Sequence, residues 1–251
     1  MSLHGKTIVV TGATSGFGFA CARMCAQQGA RVVACGRRAE RLAELKGQEK
    51  NIHTVSLDVQ DNDAVAKAMA TLPEAFATID VLINNAGLAL GAGSYEAKPM
   101  AEIEQMVDTN IKGLLYCTHA ILPQMITRNQ GHIINMGSVA GSYPYPGGNV
   151  YGGTKAFVEQ FSLNLRADLL GKNIRVTNIE PGMAETEFSL VRFNGDAAKS
   201  EAIYQGVQPL AAEDVAETIV WCLTRPAHVN INRIELMPTQ QAFSGFAVHR
   251  A

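Results

Sequence analysis

The chain has no apolar run of the roughly 18 to 20 residues that a membrane span needs. Its start offers no secretory leader, because "MSLHGK" runs directly into a strand-like "TIVVTG". A cytoplasmic protein is therefore expected. Basic charge is not in excess: 21 Lys and Arg stand against 23 Asp and Glu, a net charge of −2. That removes the bulk electrostatic case for nucleic acid or an anionic membrane as partner, and the adjacent Arg37 and Arg38 need a local reason. Nor is there a cysteine framework. Cys21, Cys25, Cys35, Cys117 and Cys222 are odd in number and fit no disulfide or zinc spacing. Cys21 and Cys25, four apart on an expected helix, could share a metal, but no His or further Cys lies close in sequence to complete the set. Free buried thiols in a reducing compartment, with no metal, are the better expectation. Repeats, low-complexity tracts and Ser/Pro-rich linkers are also missing, so residues 1–251 are expected to form one domain.

What is present is alternation. Short apolar runs ("TIVVTG", "ARVVACG", "IHTVSLDV", "IDVLINNAG", "GHIINMGSV", "NIRVTNIEPG", "NRIELMP") are separated by amphipathic helical segments. Strands buried on both faces read as such runs, and β-α-β crossovers make neighbouring strands parallel. The pattern predicts an α/β fold: a doubly wound, Rossmann-type parallel sheet of about seven strands with helices on both faces. One long helix is expected from Pro99 to about Arg128, interrupted or kinked at Pro123.

Between the first strand and first helix lies "TGATSGFG", Thr11 to Gly18. Its glycines, Gly12, Gly16 and Gly18, suit a tight turn, close backbone approach and helix packing. The helix N-terminus beyond them offers unpaired N–H groups to a pyrophosphate. About 20 residues on, an NAD site usually presents an Asp or Glu to the ribose 2′-hydroxyl. This chain presents "ACGRR", and the forked guanidinium groups of Arg37 and Arg38 suit a 2′-phosphate. NADP(H) is the expected cofactor. Asp58 in "LDV", followed by Val59, ends the third strand and is placed to take the adenine amino group.

The segment "NVYGGTKAFVEQF" puts Tyr151 and Lys155 four apart, on one helix face. A free phenol titrates near pH 10, and a neighbouring ammonium lowers that value, towards the range where acid–base catalysis works best. Gly152 and Gly153 are poor helix formers, and leaving backbone uncluttered near a cofactor is a reason for them. Ser138, in "NMGSVAG", follows the fifth strand, at the sheet edge where ligands bind. Asn110, in "DTNIKG", lies inside a helical stretch that Asn does not favour.

Together, "TGATSGFG", "NNAG" (Asn84 to Gly87), Asn110, Ser138, Tyr151, Lys155 and Pro181-Gly182 resemble the short-chain dehydrogenase/reductase family, in the family's order and over essentially the whole chain. The resemblance implies a catalytic tetrad of Asn110, Ser138, Tyr151 and Lys155. In it, Ser138 and Tyr151 hold the substrate oxygen, Lys155 also binds the nicotinamide ribose, and Asn110 holds a water that relays protons to Lys155. It implies cofactor contacts along the glycine loop (Thr11, Gly12, Thr14, Ser15, Gly16, Phe17, Gly18). Further contacts are implied at Asn84, Asn85, Ala86 and Gly87, and at Pro181, Gly182 and Thr186. It also implies a homotetramer and a substrate loop or lid at about 183–209. Within that loop Arg192 stands between Val191 and Phe193, either snorkelling from the surface or clamping an anionic substrate.

The stretches "GLALG", "EFSLVRFNGD" and "PAHVNINRIELMP" are similar to the NADP-dependent 3-hydroxy acid dehydrogenase branch. That similarity implies a small anionic carbonyl or hydroxy-acid substrate of the malonate semialdehyde type. Sulfoacetaldehyde and neutral carbonyls are alternative substrates, and a catalytically silent NADP-binding regulator is an alternative role. "PGMAETEF" is tighter and more acidic than in many members, with Glu185 and Glu187 near the mouth. In the C-terminal "FSGFAVHRA", His249 and Arg250 are either tail or a reach to a neighbouring subunit.

Overall fold

The computed structural model describes residues 2–243; His249 and Arg250 lie outside them. The elements run β1 (Thr7–Thr11), α1 (Gly16–Gln27), β2 (Arg31–Gly36), α2 (Ala39–Gln48), β3 (Ile52–Ser56), α3 (Asn62–Ala70), α4 (Glu74–Ala77) and β4 (Val81–Asn84). There follow α5 (Met100–Val107), α6 (Leu114–Arg128), β5 (Gly131–Met136), α7 (Asn149–Asp168), β6 (Ile174–Pro181), α8 (Glu187–Arg192), α9 (Ala197–Ala202), α10 (Ala212–Leu223) and β7 (Arg233–Leu236).

Among the described residues the strands form one seven-stranded sheet of order β3-β2-β1-β4-β5-β6-β7, with every pairing parallel. The chain direction across the sheet reverses between β1 and β4, and that switch point opens a crevice at the carboxyl ends of the strands. Two apolar layers sandwich the sheet. Ile8, Val10, Val32 and Ala34 pack on α1 and α10 through Cys21, Cys25 and Ile219. Val9, Val33, Leu82 and Ile133 pack on the other side with Cys117, Ile121 and Leu165. Alternate residues of one strand thus feed opposite layers, so the runs show no polar face. All five cysteines are free and buried, and burial pushes their thiols up. Among the described residues no helix is long and apolar enough to cross a membrane, and no cluster of His, Cys, Asp or Glu could hold a metal.

The helix expected to break at Pro123 breaks elsewhere. Pro123 sits inside an unbroken α6. Its ring removes the bond to the carbonyl of residue 119, but Pro123 and His119 both lie on the exposed face, where water can satisfy that carbonyl. The irregularity falls instead at Asp108–Gly113, a π-helical turn joining α5 to α6. Such turns are rare and gather at functional sites; this one carries Asn110.

Candidate active site

The crevice at the switch point has a volume of about 680 Å³. Its floor is the β1–α1 turn. A Cβ on Gly12, which has φ +65°, would lie 2.9 Å from the Ala86 Cα, and one on Gly18 would lie 2.3 Å from the Gly12 carbonyl oxygen. Neither position admits a side chain. The turn is stitched to the end of β4 from behind: Asn85 and Ala86 donate backbone N–H groups to Thr11 Oγ1 at 3.0 Å each, and Asn85 Nδ2 donates to the Thr11 carbonyl at 2.9 Å.

Most of the residues expected here line the crevice: Gly12, Thr14, Ser15, Gly16 and Phe17; Arg37, Arg38, Asp58 and Val59; Asn85, Ala86 and Gly87; Pro181, Gly182 and Thr186; and Ser138, Tyr151, Lys155 and Arg192. Four do not. Thr11 is buried in the stitch just described, and Gly18 faces the turn's own backbone. Asn84 points into the core, donating to Thr118 Oγ1 and Asn135 Oδ1 at 2.9 Å each. Asn110 is buried and closed on itself. Its Oδ1 accepts from Leu88 N at 2.8 Å, and its Nδ2 donates to the Leu88 carbonyl at 2.9 Å and to Thr154 Oγ1 at 3.0 Å. Both amide hydrogens are taken, so a relay water at Asn110 would have to donate to one of its oxygens.

Ser138 caps the short 3₁₀ turn Val139–Gly141, its Oγ accepting from Ala140 N at 3.1 Å and donating to the Pro181 carbonyl at 3.4 Å. It also lies close enough to the Tyr151 phenol to draw its titration down. Tyr151 and Lys155 rise from the first turns of α7, and the Lys155 Nζ lies 5.7 Å from the Tyr151 ring centroid. Lys155 donates to the Met136 carbonyl at 2.7 Å, and burial lowers it to about 8. The phenol differs from expectation: burial pushes it above its ordinary value, and the groups that draw it back down are Ser138 and Arg192, not Lys155. Desolvation disfavours the phenolate, and the lysine is tied to β5.

The glycines after Tyr151 also serve otherwise than expected. A Cβ on Gly152 would lie 2.8 Å from the Ala140 carbonyl oxygen, and one on Gly141 would lie 2.9 Å from the Lys155 backbone. Helix α7 and the Ser138 turn therefore meet backbone to backbone, and this contact sets Ser138 against Tyr151. Gly153 faces open space. In urea denaturation, Gly153→Ala should raise stability by roughly 0.5–1 kcal/mol. Gly152→Ala should lower it by about 1–3 kcal/mol, the usual range for overpacking. Equal effects of the two would refute the backbone contact.

Arg192 ends α8 with its guanidinium 5.4 Å from the Tyr145 ring centroid. Its buried Nε has no hydrogen-bond partner among the described residues. The expectation left its role open between surface snorkel and clamp; the side chain in fact lines the crevice beside Ser138 and Tyr151. Tyr145 was not foreseen, because "SYPYPGG" reads only as a loop. Glu187 does not face the mouth. It accepts from Arg38 Nη1 at 2.7 Å and from Arg41 Nη2 at 3.3 Å. Arg37 instead faces Asp58 at 3.7 Å.

A parallel doubly wound sheet, with a glycine turn too tight for side chains at its switch point, defines a dinucleotide-binding protein. More specifically, the chain belongs to the short chain dehydrogenase family, whose pattern it matches over residues 6–195. It is 53% identical to a serine 3-dehydrogenase of Agrobacterium fabrum (strain C58) over 245 residues, 97% of this chain and 98% of the relative. It is 54% identical to an NADP-dependent 3-hydroxy acid dehydrogenase of Escherichia coli (strain K12), covering 97% of this chain and 99% of the relative. Among solved structures, the closed form of a serine dehydrogenase complexed with NADP+ superposes with a TM-score of 0.96 at 54% identity, covering 98% of this chain and 100% of that one. A serine dehydrogenase from Escherichia coli gives 0.83 at 49% identity, covering 94% and 100%.

Proposed function

We propose that this chain is an NADP(H)-dependent oxidoreductase that interconverts a small anionic aldehyde or ketone with its β-hydroxy acid. The observation that carries the substrate half is Arg192: a guanidinium without a carboxylate partner among the described residues, lining the same crevice as Ser138 and Tyr151. A guanidinium matches a carboxylate or sulfonate in shape, and one held away from water binds it more strongly. The cofactor half is supported by a glycine turn that no side chain could enter, by arginines where an NAD site would hold an acid, and by the names of the relatives.

In this reading bound nicotinamide supplies or accepts the hydride. Ser138 donates its hydroxyl hydrogen to the substrate oxygen, and Tyr151 transfers the proton. In reduction the phenol is the acid, and burial keeps it protonated at neutral pH. In oxidation it must act as base, and the cation that favours that is Arg192. Lys155 also holds the nicotinamide ribose. Asn110 also positions: through Thr154 it fixes the helix that carries Lys155. Residues 183–209, with α8 and α9, form the substrate lid of a single catalytic domain. A homotetramer in the cytoplasm is the matching assembly and place.

The test is NADPH oxidation with malonate semialdehyde, sulfoacetaldehyde and propionaldehyde under identical conditions. A preference of about 100-fold or more in kcat/KM for an anionic substrate, about 2.7 kcal/mol of transition-state binding, is expected. Equal rates on all three would remove the anion clamp and leave a reductase of neutral carbonyls. No turnover with any carbonyl would favour a silent NADP-binding regulator.

A further inference from the structure

Behind Ser138 the sheet holds a carboxylate that the chemistry above leaves unused. Glu180, on β6 just before Pro181, is only 1% exposed. Its stem lies against Gly137, where an added Cβ would come within 3.0 Å of the Glu180 Cγ. One carboxylate oxygen accepts from Asn178 Nδ2 and the other from Arg233 Nε on β7, at 2.6 Å each. Glu235 is paired with Glu180 across β6 and β7 and also takes Arg233, through Nη2 at 3.2 Å. Burial pushes the Glu180 carboxyl up to about 7 against the pull of Arg233, and Glu159 and Glu235 add to the rise. The same guanidinium reaches two more elements. Nη2 donates to Ser142 Oγ at 2.6 Å, directly after the Val139–Gly141 turn that Ser138 caps. Nη1 donates to Glu159 on α7 at 2.7 Å. Glu159 follows Tyr151 and Lys155 at four-residue intervals, so the three share one stripe of the helix. Ser142 Oγ closes the ring by donating to Glu159 Oε2 at 3.4 Å.

We propose that Glu180 and Arg233 are positioning residues, which through Ser142 and Glu159 hold the Ser138 turn in register with Tyr151. The inference rests on the reading of Ser138 and Tyr151 as the groups that handle the substrate oxygen. The turn is gripped at both ends: Gly137 rests on Glu180, and Ser142 is bonded to Arg233. Between them Ser138 has its bonds to Ala140 N and to the carbonyl of Pro181, the residue next to Glu180. A buried ion pair adds little net stability, but stranding one of its partners is strongly destabilising. Without Arg233, moreover, Glu180 would face the like charge of Glu235 directly across the strands. The pair therefore has one well-defined arrangement, and what it supplies is alignment. A displacement of about 1 Å at a reacting group can cost about 10²-fold in rate. A network that fixes Ser138 more closely than that acts on kcat without touching the substrate.

The experiment measures NADPH oxidation by the full chain with the fastest of the three carbonyls named above, at about pH 8, where Glu180 is charged. Ser142→Ala cuts the grip on the turn and leaves the buried pair whole. It should lower kcat by about threefold to tenfold, less than a full 1 Å displacement would, while the melting temperature moves by less than about 4 °C. In a Ser138→Ala background the same substitution should cost less than about twofold, because its effect passes through Ser138. Arg233→Met strands the Glu180 charge and should lower the melting temperature. Adding Glu180→Gln should restore most of that loss, yet kcat should stay at least about threefold below that of the natural chain. A kcat that recovers with stability in the double variant would overturn the inference. So would a Ser142→Ala that leaves kcat unchanged, or costs the same with and without Ser138. Unchanged turnover in Ser138→Ala would instead bring down the reading of Ser138 on which the inference rests.

Discussion

Tyr151→Phe is expected to lower kcat by about 10²–10⁴-fold, the usual contribution of a positioned acid–base group, or roughly 3–5 kcal/mol of transition-state stabilisation. The ring itself should stay in place. It packs on Phe188 with centroids 5.5 Å apart, and α7 is held against the Ser138 turn through Gly152 and Gly141 rather than through the phenol oxygen. The affinity for NADPH, read by fluorescence titration, should therefore change by less than about twofold. Loss of turnover together with loss of cofactor binding would mean that the substitution damages the crevice. Full activity would remove Tyr151 from the chemistry.

Arg192→Ala is the second large effect. On an anionic substrate kcat/KM should fall by about 100-fold, about 2.7 kcal/mol, because the crevice loses the guanidinium that lies against Tyr145 and lines it together with Ser138 and Tyr151. On an uncharged aldehyde of similar size the loss should stay within about threefold. Arg192→Lys should recover only part of the difference, since an ammonium is a point charge without the fork that matches a carboxylate. The comparison matters because Arg192 also ends α8, and its carbonyl accepts from Gly91 N at 3.0 Å. An equal loss on both substrates would place the damage in this backbone anchor and count against the clamp.

The sheet was legible in the sequence for a physical reason. Val9 and Val33 feed one apolar layer while Val10 and Val32 feed the other, so the strands stand out as unbroken runs between helical patterns. The pairing of Tyr151 with Lys155 was legible because helical spacing alone puts them on one face. What escaped depends on contacts far apart in sequence. Nothing local says that Glu187 will reach across to Arg38 and Arg41, so it read only as negative charge near the mouth. Thr11 and Asn84 were implied as cofactor contacts by the family motifs that contain them, but the structure turns both side chains inward. Pro123 was read as a break because the rule against proline in helices takes no account of which face it lies on. The actual irregularity at Asp108–Gly113 has no such marker, and its Asn110 is clasped by Leu88 and Thr154, residues 22 and 44 positions away.

The parallel course of all the strands has a practical side. Among the described residues the candidates gather at the carboxyl ends, away from the opposite edge of the sheet. There the turn between α7 and β6 carries Leu170, 80% exposed, and Gly171, with φ +82° and no neighbour within 4 Å of an added Cβ. A linker inserted at that turn, to anchor the protein on a solid support or join it to a second protein, attaches about a full strand length away from the crevice. Immobilised in that orientation, the mouth faces the solution.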